Sequence, residues 1–210
     1  KRDDLLAENI GTPKQPRYRA PATANRYLAA IGKACTIAVK EYHWLHDNPV
    51  HRVQKEQEPP GRVRYLTADE KDRLLDACEK SPTRELKLVV LLALTTGMRC
   101  GEILGLRWPH IDLVRNVAIL HKTKNGERRS VPIVPQVKAL LSEHAQVRRI
   151  DTDLVFVRAN EDRPIDVDRA FRDAVREAKI EKFRFHDLRH TAASYLAMSG
   201  ATTAEIAALL

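Results

Sequence analysis

Aromatic residues supply only 5% of the 210-residue sequence, too few for a protein that grips single-stranded nucleic acid by stacking its bases. Cysteine is scarce as well. Cys35, Cys78 and Cys100 are odd in number, far apart and set in apolar helical patterns, which reads as free buried thiols in a reducing compartment sooner than as a disulfide framework or a zinc cluster. No apolar run approaches the roughly 20 residues needed to cross a bilayer, and no signal-peptide pattern opens the sequence; the expectation is a cytoplasmic protein with no membrane partner. His43, His46 and His51 lack a neighbouring cysteine or carboxylate at ligand spacing, and no carboxylates cluster elsewhere, so neither a metal nor another cofactor is expected.

What the sequence has in excess is positive charge. Lys and Arg total 36 against 28 Asp and Glu, a formal net charge of +8, which favours a polyanionic partner. Residues 1–57 hold ten basic and six acidic side chains and the remainder 26 and 22, so the excess is equal in the two parts and densest in the shorter one. With stacking disfavoured, contact with a duplex backbone is the simpler use for that charge. At 43% hydrophobic and 30% charged, the chain has the composition of a globular protein able to fill one good core and a smaller second one.

Residues 1–22 are polar, carry Pro13, Pro16 and Pro21, and show no sustained period; they read as an irregular lead-in. A long helix is predicted next, capped by Thr23, with Tyr27, Leu28, Ile31, Cys35, Ala38, Val39 and Tyr42 at helical spacing toward His46. One helix cannot bury its own stripe, so the sequence starts as if in the middle of a helical domain. Pro59-Pro60-Gly61 marks residues 58–62 as a linker, which gives a partial helical domain over 1–57 and a second domain over 63–210. The second opens on a capping box, Thr67 to Glu70. Leu86 to Leu94 is apolar nearly all round and reads as a central buried helix stopped by Gly97. The runs VAIL and RSVPIV between Asn116 and Val134 flank Lys124-Asn125-Gly126, a hairpin signal that predicts a small antiparallel sheet. LVFV at 154 to 157 reads as an added edge strand, and helices are predicted over Val137 to Val147, Val167 to Ala178, Phe185 to Gly200, and from Thr202 onward. The fold class is mainly α with a small antiparallel β-sheet.

In FHDLRHT, His186 and Arg189 stand three apart, on one face of a helix. On spacing alone a solvated basic helix start is the better explanation of such a pair. Arg99, just after the buried helix, and Lys124, in the hairpin, change that reading. Two guanidiniums, an ammonium and an imidazole suit a phosphodiester, because the Arg forks hold both non-bridging oxygens and the other groups move protons.

The motifs TTGMRCGEILGLRW at 95–108, KTKNGERRSVPI at 122–133 and FHDLRHTAASYLAMSG at 185–200, in that order, resemble those of the tyrosine recombinases and phage-type integrases. The similarity covers 63–210 as catalytic domain, and ATANRYLAAIGKACTIAVKEYHWLHDNPV at 22–50 looks like the later part of that family's core-DNA-binding domain. The resemblance implies that Arg99 and Arg189 hold the scissile phosphate, that Lys124 is the general acid toward the 5′ oxygen, and that His186 assists proton transfer to and from a nucleophilic tyrosine. The products would be a 3′-phosphotyrosyl link that conserves the bond energy, without ATP or metal. It further implies double-stranded DNA as partner, copies of the same recombinase on that DNA, a tetramer when full length, and accessory DNA-bending or excision factors. In the family the nucleophile lies past a further segment after the last short helix, so it is expected beyond Leu210, and the 210 residues are expected to bind DNA without cleaving it.

Other residues carry plainer readings. Tyr195 lies roughly 120° around the helix from Arg189, among Ala192, Leu196 and Ala197, and reads as a packing residue. His190 reads as orienting its neighbours or packing, Glu102 as pairing with a basic group of the site or as a surface charge, and Trp108 as core. Arg128 and Arg129 on the hairpin read as touching DNA backbone or solvent. Arg26 and Lys33 are the candidate DNA contacts of the first helix. Two rivals remain at this point: a DNA-binding regulator that kept the fold and lost the reaction, and a type IB topoisomerase.

Overall fold

The structure, a computed structural model, describes residues 7–10, 12, 18–61, 64–120 and 129–210. The chain divides into two compact units, Lys1–Arg62 and Val63–Leu210.

The first unit is built on α1, Pro21–Lys40. It starts at Pro21, with Ala20 as N-cap, and not at Thr23: proline's fixed φ already suits the first helical position, where its missing N–H would have been unpaired anyway. It also stops short of His46. His43 takes a left-handed φ of 53°, the Trp44 N–H turns back to the Ala38 carbonyl at 2.9 Å, and the Tyr42 and Trp44 rings stack at 4.5 Å. Two buried asparagines hold the rest of the unit to this helix. Asn48 donates to the Gly32 carbonyl at 2.8 Å and to Thr36 Oγ1 at 2.9 Å. Asn25 donates to the Glu56 carbonyl and to Glu58 Oε1 at 2.9 and 2.7 Å and accepts from the Glu56 N–H at 2.9 Å, so the segment leading into the Pro-Pro-Gly stretch is tied down up to Glu58.

The second unit opens on α2, Ala68–Glu79, whose capping box forms as the sequence predicts. The Glu70 N–H donates to Thr67 Oγ1 at 3.2 Å and the Thr67 N–H to Glu70 Oε2 at 3.0 Å. Its centre is α3, Leu86–Thr96, with nine of eleven residues buried. A helix apolar on every side needs neighbours on every side, and α3 packs against α2, against α5, Pro135–Gln146, and against α7, Phe185–Met198. Gly97 ends α3 in the left-handed region, at φ 63°, where a Cβ would be strained. The short α4, Cys100–Leu104, follows at once.

The sheet is antiparallel in the order β1, Ile111–Asp112, β2, Val117–Leu120, and β3, Arg129–Pro132. Ala118 faces Val131 and Leu120 faces Arg129 in the β2–β3 register. Residues 121–128 connect these two strands in sequence, and Lys124 and Arg128 therefore lie outside the described residues. LVFV does not extend the sheet. Leu154 and Val157 form single bridges to Arg107 and Pro164, and the Val155 N–H donates to the Leu106 carbonyl at 2.9 Å; Leu154, Val155 and Phe156 are buried, so the run crosses the core as irregular chain. Helices α6, Asp168–Glu177, and α8, Thr203–Leu209, complete the unit. The architecture is mainly helical with one small antiparallel sheet.

Candidate active site

Gly97, Arg99, Glu102, Arg129 and Arg189 meet where the end of α3, the start of α4, β3 and the first half of α7 converge. The sharp turn at Gly97 brings its carbonyl to Arg189, whose Nη1 donates to it at 2.6 Å. Two residues on, Arg99 caps α4 and Glu102 reaches back: the Arg99 N–H donates to Glu102 Oε2 at 2.9 Å and Arg99 Nη1 to Glu102 Oε1 at 2.9 Å. Glu102 Oε2 also accepts from Arg129 Nη2 at 3.0 Å. The main-chain oxygen of Leu210 accepts from both Arg129 Nη1 and Arg189 Nη2. Glu102 thus links Arg99 to Arg129, and the Leu210 oxygen links Arg129 to Arg189.

Their exposure is graded. The side chain of Glu102 is 8% exposed and that of Arg129 15%, against 36% for Arg99. Arg99 is the guanidinium of this ion pair that faces outward. Burial, followed by repulsion from Arg99 and then Arg129, lowers the Arg189 pKa, with Glu102 opposing, so the cations are close enough to sense one another. An arginine nevertheless stays protonated in proteins, and clustered positive charge of this kind is what an anion relieves.

His186 lies one turn before Arg189 on α7, open to solvent on one side. Desolvation is the largest effect on it, followed by His190 and Arg189; with Arg99 also contributing and only Asp187 opposing, its pKa is held below the usual 6.5. It is therefore a neutral imidazole at pH 7, able to accept a proton. The His190 ring meets it edge-on, with centroids 5.2 Å apart and planes at 89°. Cys100, beside Arg99, is not a rival nucleophile: burial, then Asp168 and Asp166, push its thiol up to about 11, leaving it protonated. Tyr195 is engaged elsewhere, its hydroxyl donating to the Leu66 carbonyl at 3.2 Å.

The model of the phage integrase family matches residues 64–210. The chain belongs to that family. It is 35% identical over 218 aligned positions to the shufflon-specific DNA recombinase of Escherichia coli, covering 99% of this chain and 55% of that protein. It is 30% identical over 212 positions to the integrase of Salmonella phage P22, covering 94% and 53%. The chain thus spans little more than half the length of these curated relatives. The Tn1549 transposon integrase, solved in complex with circular intermediate DNA, superposes with a TM-score of 0.73 at 19% identity, over 90% of this chain and 71% of that one, a likeness of fold.

Of the site residues expected for a phage integrase family member, Arg99, Glu102, His186, Arg189 and His190 fall together. Arg26 and Lys33 are exposed on α1, in the first unit. Arg129 differs from expectation: it turns inward onto Glu102 and not outward to solvent. The signal was present in the alternation of the strand, since Arg129 shares its face with Val131 and Ile133, which are 0% and 4% exposed. Sequence reasoning also missed the Gly97 carbonyl as the anchor of Arg189, because a main-chain acceptor leaves no signature in side-chain type.

Proposed function

We propose that the chain carries the phosphate-gripping and proton-transfer part of a site-specific DNA recombinase, which cleaves and rejoins duplex DNA through a 3′-phosphotyrosyl intermediate. Arg99 and Arg189 fork onto the non-bridging oxygens of the scissile phosphate and neutralise the charge that grows as phosphorus becomes five-coordinate. His186, neutral at pH 7, takes the proton of the attacking tyrosine. Lys124 protonates the departing 5′ oxygen. Glu102 and His190 support Arg99 and His186. The attacking tyrosine is not Tyr195. The partners are double-stranded DNA, gripped through both units, and further copies of the same protein on it. A cytoplasmic location fits those partners, and among the described residues no helix is long and apolar enough to cross a membrane.

The observation that carries this reading is the convergence of Arg99 and Arg189, 90 residues apart in sequence: Glu102 joins Arg99 to Arg129, the Leu210 oxygen joins Arg129 to Arg189, and the charge of Arg99 acts on Arg189. The test uses the full-length protein. A target sequence is first selected by binding from a pool of random duplexes, then offered as a nicked duplex. Covalent protein–DNA adduct is expected from the wild type and from neither Arg99→Ala nor Arg189→Ala. Adduct formation at the wild-type rate in either variant would refute the assignment.

A further inference from the structure

The Arg129 side chain is 15% exposed against 36% for Arg99, and its Nε is buried with no hydrogen-bond partner. A side chain placed as a DNA contact would be expected to lead with its guanidinium; here one terminal nitrogen is spent on Glu102 and the other on the Leu210 oxygen. The carboxylate it meets is itself buried and also holds Arg99 through both side chain and main chain. Were Glu102 paired with Arg99 alone, the two charges would cancel, and Arg99 would have little left to offer a phosphate. Shared between two guanidiniums, one carboxylate leaves a net positive charge on the trio, and Arg189 adds a second.

We propose that Arg129 is a positioning residue for the strand-cleavage reaction: it takes up the charge of Glu102, so that Arg99 stays fixed by that carboxylate yet electrostatically free for the scissile phosphate. The inference rests on the proposed roles of Arg99 and Arg189. It places Arg129 on the rate of cleavage and not on the grip on DNA. Charge counting makes it sharp. Removing Arg129 alone lowers the charge of the site by one, whereas removing the charges of Arg129 and Glu102 together restores it.

Full-length wild type, Arg129→Gln, Glu102→Gln with Arg129→Gln, and Arg99→Ala are compared in single-turnover cleavage of the selected nicked duplex, with duplex affinity and its salt slope measured on the same preparations. Arg129→Gln is expected to slow cleavage about 10²-fold, the scale of one lost electrostatic donor, with affinity and salt slope within about twofold of wild type. The double variant is expected to cleave at least about tenfold faster than Arg129→Gln, by the same electrostatic reasoning. A salt slope reduced by about one, with a matching loss of affinity, would make Arg129 a phosphate contact and overturn the proposal. So would a double variant as slow as the single one, or an Arg129→Gln protein that cleaves normally. Should Arg129→Gln alone not fold, the double variant, which removes the buried carboxylate together with its inner partner, decides: cleavage within about tenfold of wild type supports the proposal and a slower rate overturns it. Arg99→Ala separates the two levels, since wild-type cleavage by that variant would remove the proposed site itself, whatever Arg129 does.

Discussion

At the scale of the residue, His186 gives the clearest reading of environment as chemistry. Its pKa is held below 6.5 by desolvation, then by His190 and Arg189, with Arg99 adding to them and Asp187 opposing. The neutral base is therefore present at pH 7 and is lost only as pH falls through that lowered value, so the acid limb of the cleavage rate should lie below pH 6.5. His190→Ala removes the second-largest cause and should move that limb up toward 6.5, read from the pH–rate profile of single-turnover cleavage; an unmoved limb would mean another group titrates there. The same shift has a stability consequence of defined sign. Because the unfolded histidine binds its proton at higher pH than the folded one, this group's contribution is intact above pH 6.5 and is lost as pH falls from there through the folded value.

Helix α7 shows how one element holds both chemistry and packing. One face carries His186, Arg189 and His190; the other is pinned beneath the start of the second unit. Thr191, fully buried, accepts from the Leu66 N–H at 3.1 Å and donates to the Asp187 carbonyl at 2.8 Å. Thr191→Val keeps the shape and leaves that N–H without a partner, so a loss of about 1–3 kcal/mol is expected in chemical denaturation; an unchanged unfolding midpoint would contradict it. Gly97→Ala should cost about 1 kcal/mol or more from its positive φ and, by moving the carbonyl that anchors Arg189, should also slow cleavage, which separates it from a purely structural variant. The capping box at Thr67, the all-round apolar helix over Leu86–Thr96 and the His186-Arg189 face were legible because each is a local pattern with a local cause. The edge strand at 154 to 157 was misread because a short apolar run fits a buried irregular crossing as well as a strand. The inward placement of Arg129 was not legible because its hairpin position was weighed and its strand parity was not.

At the scale of the whole molecule, the positive charge and the reactive cluster are separable. Arg26 and Lys33 are seven residues apart on α1, both exposed, so they share a face. If that face meets phosphates, Arg26→Ala and Lys33→Ala should each lower the salt slope of duplex affinity by about one, while the cleavage rate of the bound complex stays at the wild-type value. Variants at Arg99 and Arg189 should do the reverse, losing cleavage far more than affinity. The central claim, that side chains distant in sequence fold onto a single phosphorus, is tested most directly by a structure of the full-length protein on the nicked duplex. The guanidiniums of Arg99 and Arg189 are predicted to lie within hydrogen-bond reach, about 3 Å, of the oxygens of one phosphate at the nick; finding them on different phosphates, or the duplex bound away from this cluster, would contradict it.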